Sequence, residues 1–317
     1  METRRARSRP PVGALSAPKT GRLVAASEEL PGVTEIGGSP FFQSPHSAVS
    51  VTLSSSIDAV RERTHTLSNR AHVPFSGEPT TAILLLADGT WIPGARVESA
   101  AYSLTIPALQ NAYTTAVALG RGADVVAFVL SRPFRREESL YVEELPHGPY
   151  DAWAADAWIR DPGSANGPLP ALDGAVSPFL NRHVADAAEG LRSARSAAER
   201  AHVPSSHFPV GTVAETAEGR LVPGANVEHP DWARILCAER NALGTVQSYG
   251  VGPVVRLFLT CLEDPDGTPC GACRQLLAER APDLDLWMDR HDAAPEQSTI
   301  SSLLPGSFRG RALLDPE

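Results

Sequence analysis

Apolar and alanine positions recur at helical spacing over residues 191–201, which predicts a helix there. Two extended segments follow, near 209–216 and 221–227, with Glu218-Gly219 marking the turn between them. A further helix is predicted over about 231–246, with Asp231 as its N-cap. The branched, apolar run Val254-Val255-Arg256-Leu257-Phe258-Leu259-Thr260 has the pattern of a buried strand. A helix over about 270–280 and a strand over 283–288 complete the series. Strands alternating with helices predict a layered α/β domain.

The same pattern occurs earlier in the chain. Ala71-His72-Val73-Pro74 returns as Ala201-His202-Val203-Pro204, an offset of 130 residues. That offset carries Pro93-Gly94-Ala95 onto Pro223-Gly224-Ala225, Val97-Glu98 onto Val227-Glu228, and Asn111-Ala112 onto Asn241-Ala242. No gap is needed, so two copies of one domain are expected. Residues 51–180 form the first and 181–317 the second, with a proline- and glycine-rich connection near 144–190.

Composition narrows the function. The net charge of −9 over 317 residues argues against a nucleic-acid partner. No apolar run reaches the length of a membrane span. Four cysteines, three of them in two short motifs, point to a reducing, cytoplasmic setting and not to a disulfide scaffold. Residues 1–50, rich in Arg, Pro, Ser and Gly, are expected to be a disordered or targeting-like tail.

The chemistry concentrates in Cys237-Ala238-Glu239-Arg240 and Pro269-Cys270-Gly271-Ala272-Cys273. Three thiolates can hold Zn²⁺ and leave a fourth tetrahedral position open. A carboxylate beside the metal, Glu239, can then move protons. Near helix N-termini, thiolate is favoured over thiol. Zinc with three thiolates sums to −1, and Arg240 is placed to offset that charge. A structural zinc knot closed by Cys261 is the competing reading.

Around these motifs the second copy resembles the zinc-dependent cytidine and deoxycytidylate deaminases. Phe208-Pro209-Val210-Gly211 is similar to the family's F-P-V-G, and Gly224-Ala225-Asn226-Val227-Glu228 to its G-x-N-V-E. Leu303-Leu304-Pro305-Gly306-Ser307-Phe308 is similar to its C-terminal L-L-P-x-x-F. The resemblance implies two tandem deaminase-like α/β domains, each a mixed sheet of about five strands flanked by helices. It implies Cys237, Cys270 and Cys273 as ligands of one Zn²⁺ and Glu239 as the proton shuttle. It implies Phe208, Asn226, Glu228, Ala238 and Phe308 as nucleoside contacts, with Phe308 reaching a neighbouring subunit's site. Two residues apart on a strand, Asn226 and Glu228 share a face, and together they offer the donor and acceptors a sugar hydroxyl needs.

The implied reaction is hydrolytic deamination of cytidine and deoxycytidine with release of ammonia, as in pyrimidine salvage. The departure His229-Pro230-Asp231-Trp232, where the family commonly reads N-A-S/A-Y, keeps a modified aminonucleoside open as substrate. A non-catalytic zinc- or nucleoside-binding protein is the alternative from another class. In the first copy Pro107, Leu109, Leu140 and Glu143 fall on Cys237, Glu239, Cys270 and Cys273. That copy is therefore expected to be degenerate, serving as interface in a homodimer.

Overall fold

The computed structural model describes residues 45–160 and 169–314. The expected tail lies outside the described residues up to residue 44, and the first helix, α1 (Pro45–Thr66), opens within its remainder. Then come β1 (Thr81–Leu86), β2 (Trp91–Ala95), α2 (Ala108–Ala118), β3 (Val125–Leu130), α3 (Arg136–Glu143), β4 (Tyr150–Ala154) and β5 (Ala157–Arg160). The second series is α4 (Ala187–Ala198), β6 (Val210–Thr216), β7 (Leu221–Ala225), α5 (Ala238–Tyr249), β8 (Val254–Cys261) and α6 (Gly271–Arg280). It ends with β9 (Asp285–Met288), β10 (Glu296–Thr299), α7 (Ile300–Leu303) and α8 (Arg311–Leu314). Two five-stranded sheets result, ordered β2-β1-β3-β5-β4 and β10-β9-β8-β6-β7.

Each sheet is the middle of three layers. All six residues of β1 are buried, as expected for a strand covered on both faces. Ala82, Leu84 and Leu86 pack with Leu109, Ala112 and Ala116 of α2. Ile83 and Leu85 face the other way, onto Ile57 and Val60 of α1. In the second lobe Val213 meets Leu191 and Ala194 of α4. Its neighbour Ala214 joins the core formed with Ala242 of α5 and Leu276 and Leu277 of α6.

The 130-residue repeat is structural as well as verbal. The isolated bridges His72↔Val97 and Val97↔Ile106 return as His202↔Val227 and Val227↔Leu236. The correspondence ends after β3 and β8. In the second lobe α6 carries the chain to β9, parallel to β8. In the first lobe the hairpin β4–β5 lies antiparallel to β3 instead. The mixed pairing thus sits in the C-terminal sheet. The helix expected over 231–246 is shorter at its start. Trp232–Arg234 is a 3₁₀ turn whose cap is Asp231, accepting from the Ala233 N–H at 3.0 Å. The Val227↔Leu236 bridge keeps the following residues extended, so α5 begins only at Ala238.

The two lobes meet through α2 and α5 about an approximate two-fold axis. Thr115 Oγ1 and Thr245 Oγ1, at matched positions, lie 2.8 Å apart. Gln110 Nε2 donates to the Arg234 carbonyl, and its counterpart Arg240 Nη2 donates to the Leu104 carbonyl at 3.0 Å. Val97 of the first lobe lies in the second lobe's core, and Val227 of the second lies in the first's.

Candidate active site

Two helix starts bring the cysteines together. Cys237 is the N-cap of α5 and Cys270 the N-cap of α6, both with extended backbone. Cys273 sits one turn into α6, fully buried. Close packing of strand on helix fixes the first of these. A Cβ on Gly224 would lie 2.3 Å from the Ala238 carbonyl oxygen, so only glycine lets β7 approach the start of α5 this closely. Arg274 fastens the second. It donates to the carbonyls of Pro269 at 2.7 Å and Leu303 at 3.1 Å and to Thr268 Oγ1 at 2.8 Å. Arg290 Nη1 holds the preceding loop through the carbonyls of Pro265 and Gly267, both at 2.9 Å. Neither arginine was assigned a role from sequence. A long side chain bonding distant carbonyls leaves no spacing signal.

The sulfurs of Cys237 and Cys270 are 3.6 Å apart, as are those of Cys270 and Cys273. All three lie within 4.8 Å of one another. Zn–S bonds of about 2.3 Å in a tetrahedron put sulfurs about 3.8 Å apart, so the donor set fits zinc. Contacts with the sulfurs of Cys237 and Cys273 pull Cys270 far below the ordinary thiol range. The same contacts, with burial, push Cys237 and Cys273 up. Three adjacent thiolates need a cation among them. Cys261 is not in the cluster. It ends β8, and its carbonyl is 2.9 Å from His291 Nε2.

Glu239 lies in the first turn of α5 and is 3% exposed. Burial pushes its carboxyl up to about 7, and the charge of Cys270 adds to this. Arg240 acts in the opposite direction on Glu239. Arg240 is itself buried, and the bond its guanidinium makes is to Leu104 across the lobe contact.

Asn226 and Glu228 follow β7 and organise one loop. Asn226 Oδ1 accepts from the Val210 N–H at 2.9 Å, and its Nδ2 donates to the Phe208 carbonyl at 3.0 Å. Glu228 Oε2 accepts from the N–H groups of Ser205 at 2.8 Å and Ser206 at 3.2 Å. Burial raises its pKa, but a hydrogen bond from the Ser206 side chain, together with these N–H bonds, outweighs burial and holds it below the ordinary carboxylate range. Phe208 is half-buried and Ala238 fully buried. Phe308 stands apart, 54% exposed, on a tail whose Leu313 lies against the first lobe. His229 is buried at the lobe contact. Its ring stacks on Tyr141 with 4.7 Å between centroids and 10° between planes.

Two segments, residues 185–283 and 42–131, match a family model described as the cytidine and deoxycytidylate deaminase zinc-binding region. A cytidine deaminase of Halalkalibacterium halodurans is 35% identical over 126 residues, covering 39% of this chain and 96% of that protein. A cytidine deaminase of Mycobacterium tuberculosis is 37% identical over 118 residues, covering 37% of this chain and 84% of that protein. Among solved structures, the Burkholderia pseudomallei cytidine deaminase shares 30% identity, with a TM-score of 0.36, over 38% of this chain and 96% of that one.

Proposed function

The chain belongs to the cytidine and deoxycytidylate deaminase family, and from this premise we infer that its C-terminal lobe deaminates cytidine and deoxycytidine hydrolytically, releasing ammonia. The observation that carries this reading is a cluster of three thiols within 4.8 Å, with a buried carboxylate two residues from the first of them.

Cys237, Cys270 and Cys273 would hold one Zn²⁺, which in such a site acidifies a water to near neutrality. Glu239 would take a proton from the attacking water, deliver it to N3 of the ring and assist departure of ammonia from C4. Its burial suits the role, since a carboxyl with a raised pKa can both accept and return a proton. Arg240 adds positive charge near Glu239, opposing the rise that burial gives that carboxyl. Asn226 and Glu228 receive the sugar, the loop they organise presents Phe208 to the base, and the start of α5 at Ala238 bounds the ring. Of the departures from the family pattern, His229 lies in the lobe contact and Trp232 on the outer surface of the single chain.

The division into a non-catalytic lobe at 51–180 and a catalytic lobe at 181–317 is part of this reading. So is a homodimer in which Phe308 reaches the partner's site. Reduced thiols are needed to hold the metal, which suits a cytoplasmic setting. No helix among the described residues is long and apolar enough to cross a membrane. The test is a spectrophotometric assay of the zinc-loaded chain on cytidine, deoxycytidine and cytosine. Turnover of the two nucleosides over the free base is expected. No ammonia from either nucleoside would sink the reading.

A further inference from the structure

The first lobe keeps a hollow at the place equivalent to the reacting centre of the second. It has two parts. One, of about 220 Å³, is walled by Pro107, Leu109 and Gln110 and, from the other lobe, by Ile235 and Arg240. Pro107, Leu109 and Gln110 stand where the second lobe has Cys237, Glu239 and Arg240. The other part, of about 340 Å³, is lined by Ser76, Arg96 and Glu98. These stand where the second lobe has Ser206, Asn226 and Glu228. Thr105 borders both parts. Small-molecule sites occupy about 300–1,000 Å³, a range the second cavity reaches by itself. Loss of the metal-binding residues has not closed this space.

Two observations indicate what it takes. The sugar half is still built. Glu98 accepts from the N–H groups of Phe75 at 3.0 Å and Ser76 at 3.1 Å and from Ser76 Oγ at 2.5 Å, as Glu228 does in the second lobe. Arg96, bonded to Glu98 at 3.0 Å, replaces an amide with a group that only donates. The other half holds a buried guanidinium short of partners. Arg240 is 9% exposed, and its Nε finds no hydrogen-bond partner. A buried cation with an unused donor favours a ligand acceptor there, at the end of a cavity whose far wall carries Glu137 and Glu138. Leu109, in place of a carboxylate, cannot accept from an exocyclic amine.

We propose that this hollow binds a pyrimidine nucleoside carrying a carbonyl at C4, without metal and without turning it over. The sugar lies toward Arg96 and Glu98, and the carbonyl edge lies toward Arg240. The choice of a nucleoside rests on the deaminase reading of the second lobe. Calorimetric titration of the full zinc-loaded chain with uridine tests it. Two uridines per chain are expected, and one should persist after chelation of zinc. Thr105→Trp, which fills the junction, should remove one of the two in the zinc-loaded protein while cytidine turnover continues and reports that the chain is folded. Arg96→Ala should weaken the metal-independent uridine about tenfold, as loss of a charged hydrogen bond does. One uridine per chain in the zinc-loaded protein, or a second uridine indifferent to both variants, would overturn the proposal. Cytidine binding the metal-free chain as tightly as uridine would overturn the C4-carbonyl preference. Failure of the deaminase reading shows separately, as absent cytidine turnover, whatever the uridine count.

Discussion

In the proposed reaction Glu239 meets two requirements that usually conflict. It must be close enough to a cluster of thiolates to exchange protons there, and it must not bind the metal itself. Its place in the first turn of α5, two residues after the N-cap cysteine, satisfies both. Replacing the carboxylate with an amide of the same shape separates these properties. Glu239→Gln is expected to keep its zinc, measured by atomic absorption, while turnover falls by about 10²–10⁴-fold, the usual contribution of general acid–base catalysis. Cys261→Ser should leave zinc content unchanged, because that thiol is outside the cluster; loss of half the zinc or more would return Cys261 to the ligand set. At this scale the sequence was informative, because ligand chemistry demands particular residue types at particular spacings. Arg240 shows where such reasoning stops. Its position in the motif suggested the sulfurs as partners, but the bond it makes is to Leu104, 136 positions away in the chain. No local pattern encodes a contact of that kind.

At the scale of elements, the α2–α5 contact decides how closely the lobes approach. Gly244 sits inside α5, where glycine disfavours a helix by about 1 kcal/mol relative to alanine. Propensity alone therefore makes Gly244→Ala stabilising. Packing predicts the opposite, because the added Cβ would lie 2.4 Å from Asn111 Oδ1, and Asn111 is fully buried. Asn111 Nδ2 also donates to the Gly244 carbonyl at 3.1 Å and to Ser248 Oγ at 2.9 Å, so the side chain cannot swing away freely. The steric effect should prevail, lowering stability by about 1–3 kcal/mol, read as a lower midpoint in urea. A higher midpoint would mean that the helices can part without loss. The strands and helices themselves were legible from periodicity, and the repeat located most of them twice. Two features were not. Asp231 has the form of a helix cap, yet it caps a 3₁₀ turn, because the Val227↔Leu236 bridge holds the backbone extended. The repeat also gave no warning that the first lobe finishes with an antiparallel hairpin, since strand direction follows from the connection and not from the strand's own residues.

For the whole molecule, two lobes built on one plan differ in what they can hold, and the contact between them titrates. One zinc per chain is expected on metal analysis, since Pro107 and Leu109 replace a ligand and the shuttle. Tyr102 and Trp232, matched residues of the two lobes, are 88% and 69% exposed, and the proposed homodimer would cover such aromatics. Light scattering should give twice the chain mass, and Trp232→Asp should shift it towards the single chain. The lobe contact itself should respond to acid. His72 of the first lobe faces Arg280 of the second, with Arg280 Nη1 3.0 Å from His72 Nε2. A guanidinium can only donate, so Nε2 must accept and the ring must be neutral. Burial, helped by the charge of Arg280, lowers the pKa of His72 to about 4, against the pull of Glu98 and Glu279. His202, its counterpart, is also lowered, chiefly by burial. In the unfolded chain both titrate near about 6.5. Between these values the unfolded state binds more protons than the folded one, so stability rises with pH across the window. It should therefore be fully present above about pH 6.5 and decline as pH falls towards 4. His72→Gln, whose side-chain carbonyl can still accept from Arg280 but cannot gain a proton, should flatten this dependence in thermal melts taken from pH 7 to pH 4.5. An unaltered slope in that variant would place the acid sensitivity elsewhere than at the lobe contact.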